Sequence, residues 1–141
     1  MQVDGTSRSL SLTPLAAFYA EDERTLPRAV ALSGDDMPQP YRDLLVHDAD
    51  MTGRLTAYHG GTIALRPLKV HADDRVVSRM VVLVRDGDDQ PVEFGAIRIA
   101  LTPFPEAARQ QIRACQQPLG AILQEHAIQF VSRPAAFFRI E

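Results

Sequence analysis

The run Val76-Val77-Ser78-Arg79-Met80-Val81-Val82-Leu83-Val84 is apolar at both alternating sets of positions, the pattern of a strand covered on its two faces. Arg79 interrupts it. Its period-2 neighbours on one face are Val77, Val81 and Leu83, so an aliphatic side chain is expected where a guanidinium stands. A guanidinium keeps its charge and is rarely buried without a partner. Either a carboxylate on a neighbouring strand pairs with Arg79, or its anion is a ligand.

The same patterning predicts the elements around this strand. Thr13-Pro14 reads as an N-cap and first-turn proline opening a short helix through Tyr19. Residues 21–40 hold three prolines and the cluster Gly34-Asp35-Asp36, which predicts irregular structure with one helical turn at most. Tyr41 to Val46 suits a helical turn or two. Asp50 then caps a helix from Met51 to about Tyr58, stopped by Gly60-Gly61. Strands are predicted over Thr62–Val70, Arg75–Arg85 and Pro91–Leu101, with Pro67 marking an edge position or a bulge. Asp86-Gly87-Asp88-Asp89 marks the hairpin between the second and third. Helices follow from Pro105 to Cys115 and from Pro118 to about His126. Ile128–Ser132 and Ala135–Ile140 read as two last strands joined at Arg133-Pro134. Helices, a hairpin, two more helices and a returning hairpin predict an α+β fold with a mainly antiparallel sheet.

Length and composition narrow the functional classes. At 141 residues the chain forms one domain, 1–141, around a single core. It is 45% hydrophobic and 23% charged with a net charge of −3 and no basic patch, so nucleic acid is not an expected partner. The lone Cys115 excludes an internal disulfide and multi-cysteine metal sites, and it reads as a small apolar residue on a helix. No apolar stretch approaches the roughly 20 residues of a membrane span. The start, Met1-Gln2-Val3-Asp4-Gly5, lacks the basic and apolar blocks of a signal peptide, so a cytoplasmic protein is expected. His47, His59, His71 and His126 show no metal-ligand spacing. There is no nucleophile elbow around Ser132 and no Rossmann or P-loop glycine pattern. No cofactor or metal is expected. The sequence is silent on oligomeric state.

Candidate chemistry therefore gathers at Arg79 and at two helix starts. The helices beginning at Met51 and after Pro118-Leu119-Gly120 expose first-turn amides and the positive end of a dipole, which suit a carboxylate. With a buried arginine they would form a pocket for an anionic small molecule, provided they converge. Glu93 is a second charge on an apolar face, among Gly95, Ile97, Ile99 and Leu101. The hairpin brings it to the strand of Arg79, so it is either the ion-pair partner of Arg79 or an acid available for chemistry. Arg98 lies on the other face and reads as a solvated or rim residue.

The segment Leu44-Leu45-Val46-His47-Asp48-Ala49-Asp50-Met51-Thr52-Gly53-Arg54-Leu55 resembles the leucine-leucine, acidic, methionine-threonine, basic segment of bacterial chorismate pyruvate-lyases. Arg79 with Val81-Val82-Leu83 resembles that family's substrate-binding arginine and its strand. The turn from Asp86 to Pro91 and the start Pro118-Leu119-Gly120 are similar to its hairpin and its Pro-Leu-Gly helix start, in the same order, from about residue 44 to the C-terminus. The resemblance implies a chorismate lyase-like fold: a six-stranded antiparallel sheet with packed helices and an enclosed ligand pocket. It further implies that Arg79 binds the carboxylate of 4-hydroxybenzoate, with Met51 and Leu119 lining the site. The family places a glutamate five residues after a proline on its last strand. Here that count from Pro134 reaches Arg139, and Glu141 lies two residues further on with the same strand parity.

The activity expected from the resemblance is a cofactor-free conversion of chorismate to 4-hydroxybenzoate and pyruvate. Arg79 and the helix-start amides at Met51 and Leu119 would hold carboxylates, and Glu141 or Glu93 would act as general acid or base. Glu141 is preferred, because the related enzymes carry their glutamate on the last strand. The expected partner is a small aromatic carboxylic acid. The alternatives are a non-catalytic aromatic-acid-binding domain of the same fold and a lyase-like enzyme for another aromatic or polyketide-type acid.

Overall fold

A computed structural model describes residues 12–141. In chain order the elements are α1 (Thr13–Glu21), β1 (Ala29–Leu32), α2 (Tyr41–Leu45), α3 (Met51–His59), β2 (Ile63–Ala72), β3 (Val76–Arg85), β4 (Pro91–Ala100), α4 (Glu106–Ala114), α5 (Leu119–Glu125) and β5 (Phe137–Ile140). A single 3-10 turn spans Gly34–Asp36. The fold is α+β, and every strand pairing among the described residues is antiparallel.

Among the described residues, the strands form two sheets rather than one of six. β2, β3 and β4 make a meander with β3 at its centre, and β1 pairs with β5 as a separate ribbon. The ribbon corrects two expectations. Residues 21–40 hold β1, a strand of only four residues, Ala29-Val30-Ala31-Leu32, between prolines. Ile128–Ser132 forms no strand, so β5 closes no hairpin with it and pairs instead with β1, Phe137 opposite Leu32 and Ile140 opposite Ala29. A strand this short carries too little pattern to be read, and its partner lies about a hundred residues away in the chain.

Within the meander the local readings hold. Asp50 caps α3 through its Oδ1, which accepts from the Gly53 amide at 2.7 Å, and Gly60 ends the helix at φ 69°. The β2–β3 register slips between Pro67 and Lys69, where proline lacks a donor. The β3–β4 turn closes through Arg85 N–H to Gln90 O at 2.8 Å, with Gly87 at φ 102° and the Arg85 guanidinium on Asp88. That guanidinium holds the Asp88 carboxyl down at about 2.

β3 is buried on both faces, with Val77, Arg79, Val81 and Leu83 on one and Met80 and Val84 on the other. The second face receives α1, which contacts β3 and β4. Phe18 stacks on His71 with centroids 5.5 Å apart, and Glu21 accepts from His71 Nε2 at 2.7 Å. The first face carries two apolar clusters. One joins Val81 and Leu83 to Leu55 of α3, and the other joins Val77 to Ile112 of α4 and Ile122 of α5. Arg79 stands between them on the strand. Among the described residues, no helix is long and apolar enough to cross a membrane.

Candidate functional site

Arg79 is 2% exposed and is the only charged or polar residue among the buried side chains of the described residues. Its period-2 position on a fully covered strand forces the guanidinium into the seam between the two clusters. There it finds little. Nη1 lies 3.8 Å from Cys115 Sγ, Nη2 donates to Gln117 O at 3.3 Å, and Nε has no hydrogen-bond partner. Among the described residues, no carboxylate pairs with it. A buried guanidinium with one long thiol contact and one carbonyl is under-satisfied, because it carries five donors and its desolvation is uncompensated by a counter-charge.

The seam opens into a cavity of about 600 Å³, within the usual range for small-molecule sites. Arg79, Val81 and Leu83 of β3 and Glu93, Gly95 and Ile97 of β4 form the sheet side of its wall. Met51 and Leu119, both expected at the site, line it as well, as do Phe104 and the irregular stretch 130–133.

The two helix starts converge. A Cβ at Gly120 would fall 2.5 Å from Asp50 Oδ1 and 2.8 Å from Thr52 Oγ1, so only glycine lets the N-termini of α3 and α5 approach this closely. Their electrostatics differ from the expectation for open carboxylate sites. The Asp50 carboxylate that caps α3 is itself part of the cavity wall, and it offsets the positive end of that helix. α5 has only seven residues. Arg79 is therefore the stronger positive centre in the cavity wall.

Glu93 shares the cavity face with Arg79 without touching it. The register pairs Arg79 with Ile97 and Leu83 with Glu93, so the two backbones stand about 13 Å apart along the strand at about 3.3 Å per residue. The ion-pair alternative is thereby excluded in this structure. With no cation beside it among the described residues, burial pushes the Glu93 carboxyl up to about 7. Its Oε1 leans back over Gly95, 3.9 Å from where a Cβ would be.

Glu141, the preferred acid of the sequence reading, is elsewhere. It follows β5 at the end of the ribbon, where its amide donates to Arg28 O at 2.9 Å and its carboxylate pairs with Arg28 at 3.6 Å and Arg139 at 3.2 Å. It does not line the cavity. The parity count that favoured it assumed a last strand in the main sheet, and β5 is not in that sheet. The sequence reading also missed Cys115 and Gln117 as the contacts of Arg79. Cys115 is not inside a helix but caps α4 in the left-handed region at φ 54°, a turn that brings Sγ and the Gln117 carbonyl over the seam.

No protein-family model and no curated protein sequence matches this chain.

Proposed function

We propose that the cavity binds an aromatic carboxylic acid through Arg79 and that the protein is a chorismate lyase-type enzyme, releasing 4-hydroxybenzoate and pyruvate. The observation that carries this reading is the buried Arg79 guanidinium without a counter-ion, opening on an apolar-walled cavity. A ligand carboxylate supplies the missing acceptors, and Val81, Leu83, Ile97 and Leu119 supply apolar walls for a ring. The resemblance of residues 44–55, 79–83, 86–91 and 118–120 to chorismate pyruvate-lyases names the acid.

The chemistry asks little of the protein. The enolpyruvyl ether C–O bond breaks, a ring C–H proton leaves, the ring becomes aromatic, and the enolpyruvate takes up a proton to become pyruvate. Arg79 orients the ring by its carboxylate. Glu93, at the far end of the same face and with a carboxyl near 7, is matched to take and return a proton at neutral pH. It replaces Glu141 in that role.

The deciding experiment follows pyruvate from chorismate with a coupled assay. Turnover by the wild type is expected, with a loss of about 10²–10⁴-fold in Glu93→Gln and little change in Glu141→Gln. Tight binding of 4-hydroxybenzoate with no pyruvate from the wild type would leave a binding domain in place of an enzyme.

A further inference from the structure

The two groups that touch Arg79, Cys115 Sγ and the Gln117 carbonyl, belong to one turn between α4 and α5. That turn is tethered from α4. Gln111 Nε2 donates to Gln117 Oε1 at 3.1 Å and to Glu125 Oε2 at 2.7 Å, and Gln111 Oε1 meets His126 Nε2. Only one orientation of the amide suits these partners. The Glu125 carboxylate is an acceptor, so the amide nitrogen faces it, and the amide oxygen then accepts from His126 Nε2–H. Both amide hydrogens and the oxygen of the half-buried Gln111 are committed in this way. None of Gln111, Cys115 and Gln117 lines the cavity.

From this we infer that Gln111 is the positioning residue of the Arg79 site: its side-chain amide fixes the turn at 115–117, and the turn holds the guanidinium in the orientation in which it meets a ligand carboxylate. The inference rests on the reading of the cavity as an acid-binding site and adds what sets the direction of its arginine. Direction matters because a guanidinium recognises a carboxylate through a planar fork. The turn itself needs support. Cys115 adopts φ 54°, a region disfavoured for a residue with a Cβ. Gln111 supplies that support from α4 and, through Glu125, ties the same point to α5. It touches no part of the cavity wall through these bonds and acts on a ligand through Arg79.

The test combines calorimetry with the arginine Nε–Hε resonances of the isotope-labelled protein, the Arg79 signal being the one absent from Arg79→Met. Gln111→Leu removes the amide at similar size. Gln117→Met removes the side-chain acceptor of Gln111 and keeps the carbonyl that Arg79 touches. The probes are 4-hydroxybenzoate and its neutral analogue 4-hydroxybenzamide. The wild type should prefer the carboxylate. Each variant should cut that preference by about three- to tenfold, the effect of one oriented hydrogen bond, with benzamide affinity moving less than about twofold. Each should also shift or broaden the Arg79 resonance of the ligand-free protein. A merely structural role for Gln111 would weaken both probes alike. Equal losses for the two probes, or an Arg79 resonance unmoved in both variants, overturn the inference while the aromatic-acid reading stands. If Gln111→Leu does not fold, Gln117→Met decides alone. A wild type that binds neither probe overturns the aromatic-acid reading, and the positioning role then stands or falls on the Arg79 resonance.

Discussion

Arg79 and Glu93 are two charges on one buried face that do not neutralise each other, and each therefore makes a measurable prediction. A buried guanidinium without a counter-ion is a standing penalty on the folded state, and exchanging such groups for apolar side chains of similar volume is neutral or stabilising by roughly 1–4 kcal/mol. Arg79→Met should accordingly unfold at equal or higher urea concentration than the wild type while losing 4-hydroxybenzoate binding. A variant that is much less stable yet still binds would assign Arg79 to the scaffold. For Glu93 the sign is opposite to the usual carboxylate. Its folded value of about 7 lies above the ordinary 4.5, so the folded protein holds the proton more tightly than the unfolded chain. Stability is then full below about pH 4.5, falls as pH rises towards 7, and is flat above. The loss amounts to about 2–3 kcal/mol, allowing for a side chain that is only partly withdrawn from water. Glu93→Gln should match the wild type at pH 4 and exceed it at pH 8 in urea unfolding. Parallel stability curves across that range would show that Glu93 is solvated. The sequence made both positions visible, because a charge breaking a period-2 apolar pattern stands out. It did not show whether they meet, which depends on a register set by the hairpin.

At the scale of elements, the helix starts were legible and their meeting was not. Asp50 before Met51 and Pro118 before Leu119 announce N-termini by residue type alone. That α3 and α5 touch through Gly120 is a fact of packing. The close approach of Asp50 and Thr52 to that glycine predicts that Gly120→Ala forces the helices apart and destabilises by about 1–3 kcal/mol. The same movement shifts Met51 and Leu119, which should weaken aromatic-acid binding as well. Urea midpoints and calorimetric affinity check the two effects, and an alanine tolerated in both would mean that the contact yields. The strands divide in a similar way. β2, β3 and β4 are ten residues each, and their alternation and turn chemistry are local. β1 and β5 are four residues each, and each is stabilised by a partner from the opposite end of the chain.

For the whole molecule, the sequence by itself determined the α+β class with a mainly antiparallel sheet, the hairpin of β3 and β4 with its turn at Asp86–Asp89, Pro67 as an edge position or a bulge, the helix boundaries near Asp50, Gly60 and Pro118, and Arg79 as the residue out of place. These follow from patterns spanning a few residues, where periodicity, capping and turn chemistry act through the backbone itself. Tertiary structure alone decided that the sheet splits into a three-stranded meander and a two-stranded ribbon. It decided that Glu141 ends beside Arg28 while Glu93 faces the cavity, and that Cys115 and Gln117 are what Arg79 touches. The physical reason is common to all of these. Such contacts join residues far apart in the chain, and they are selected by how the two apolar clusters fill space against each other. No short-range pattern encodes which distant surfaces will pack, so the seam that holds Arg79 exists only once both clusters have formed.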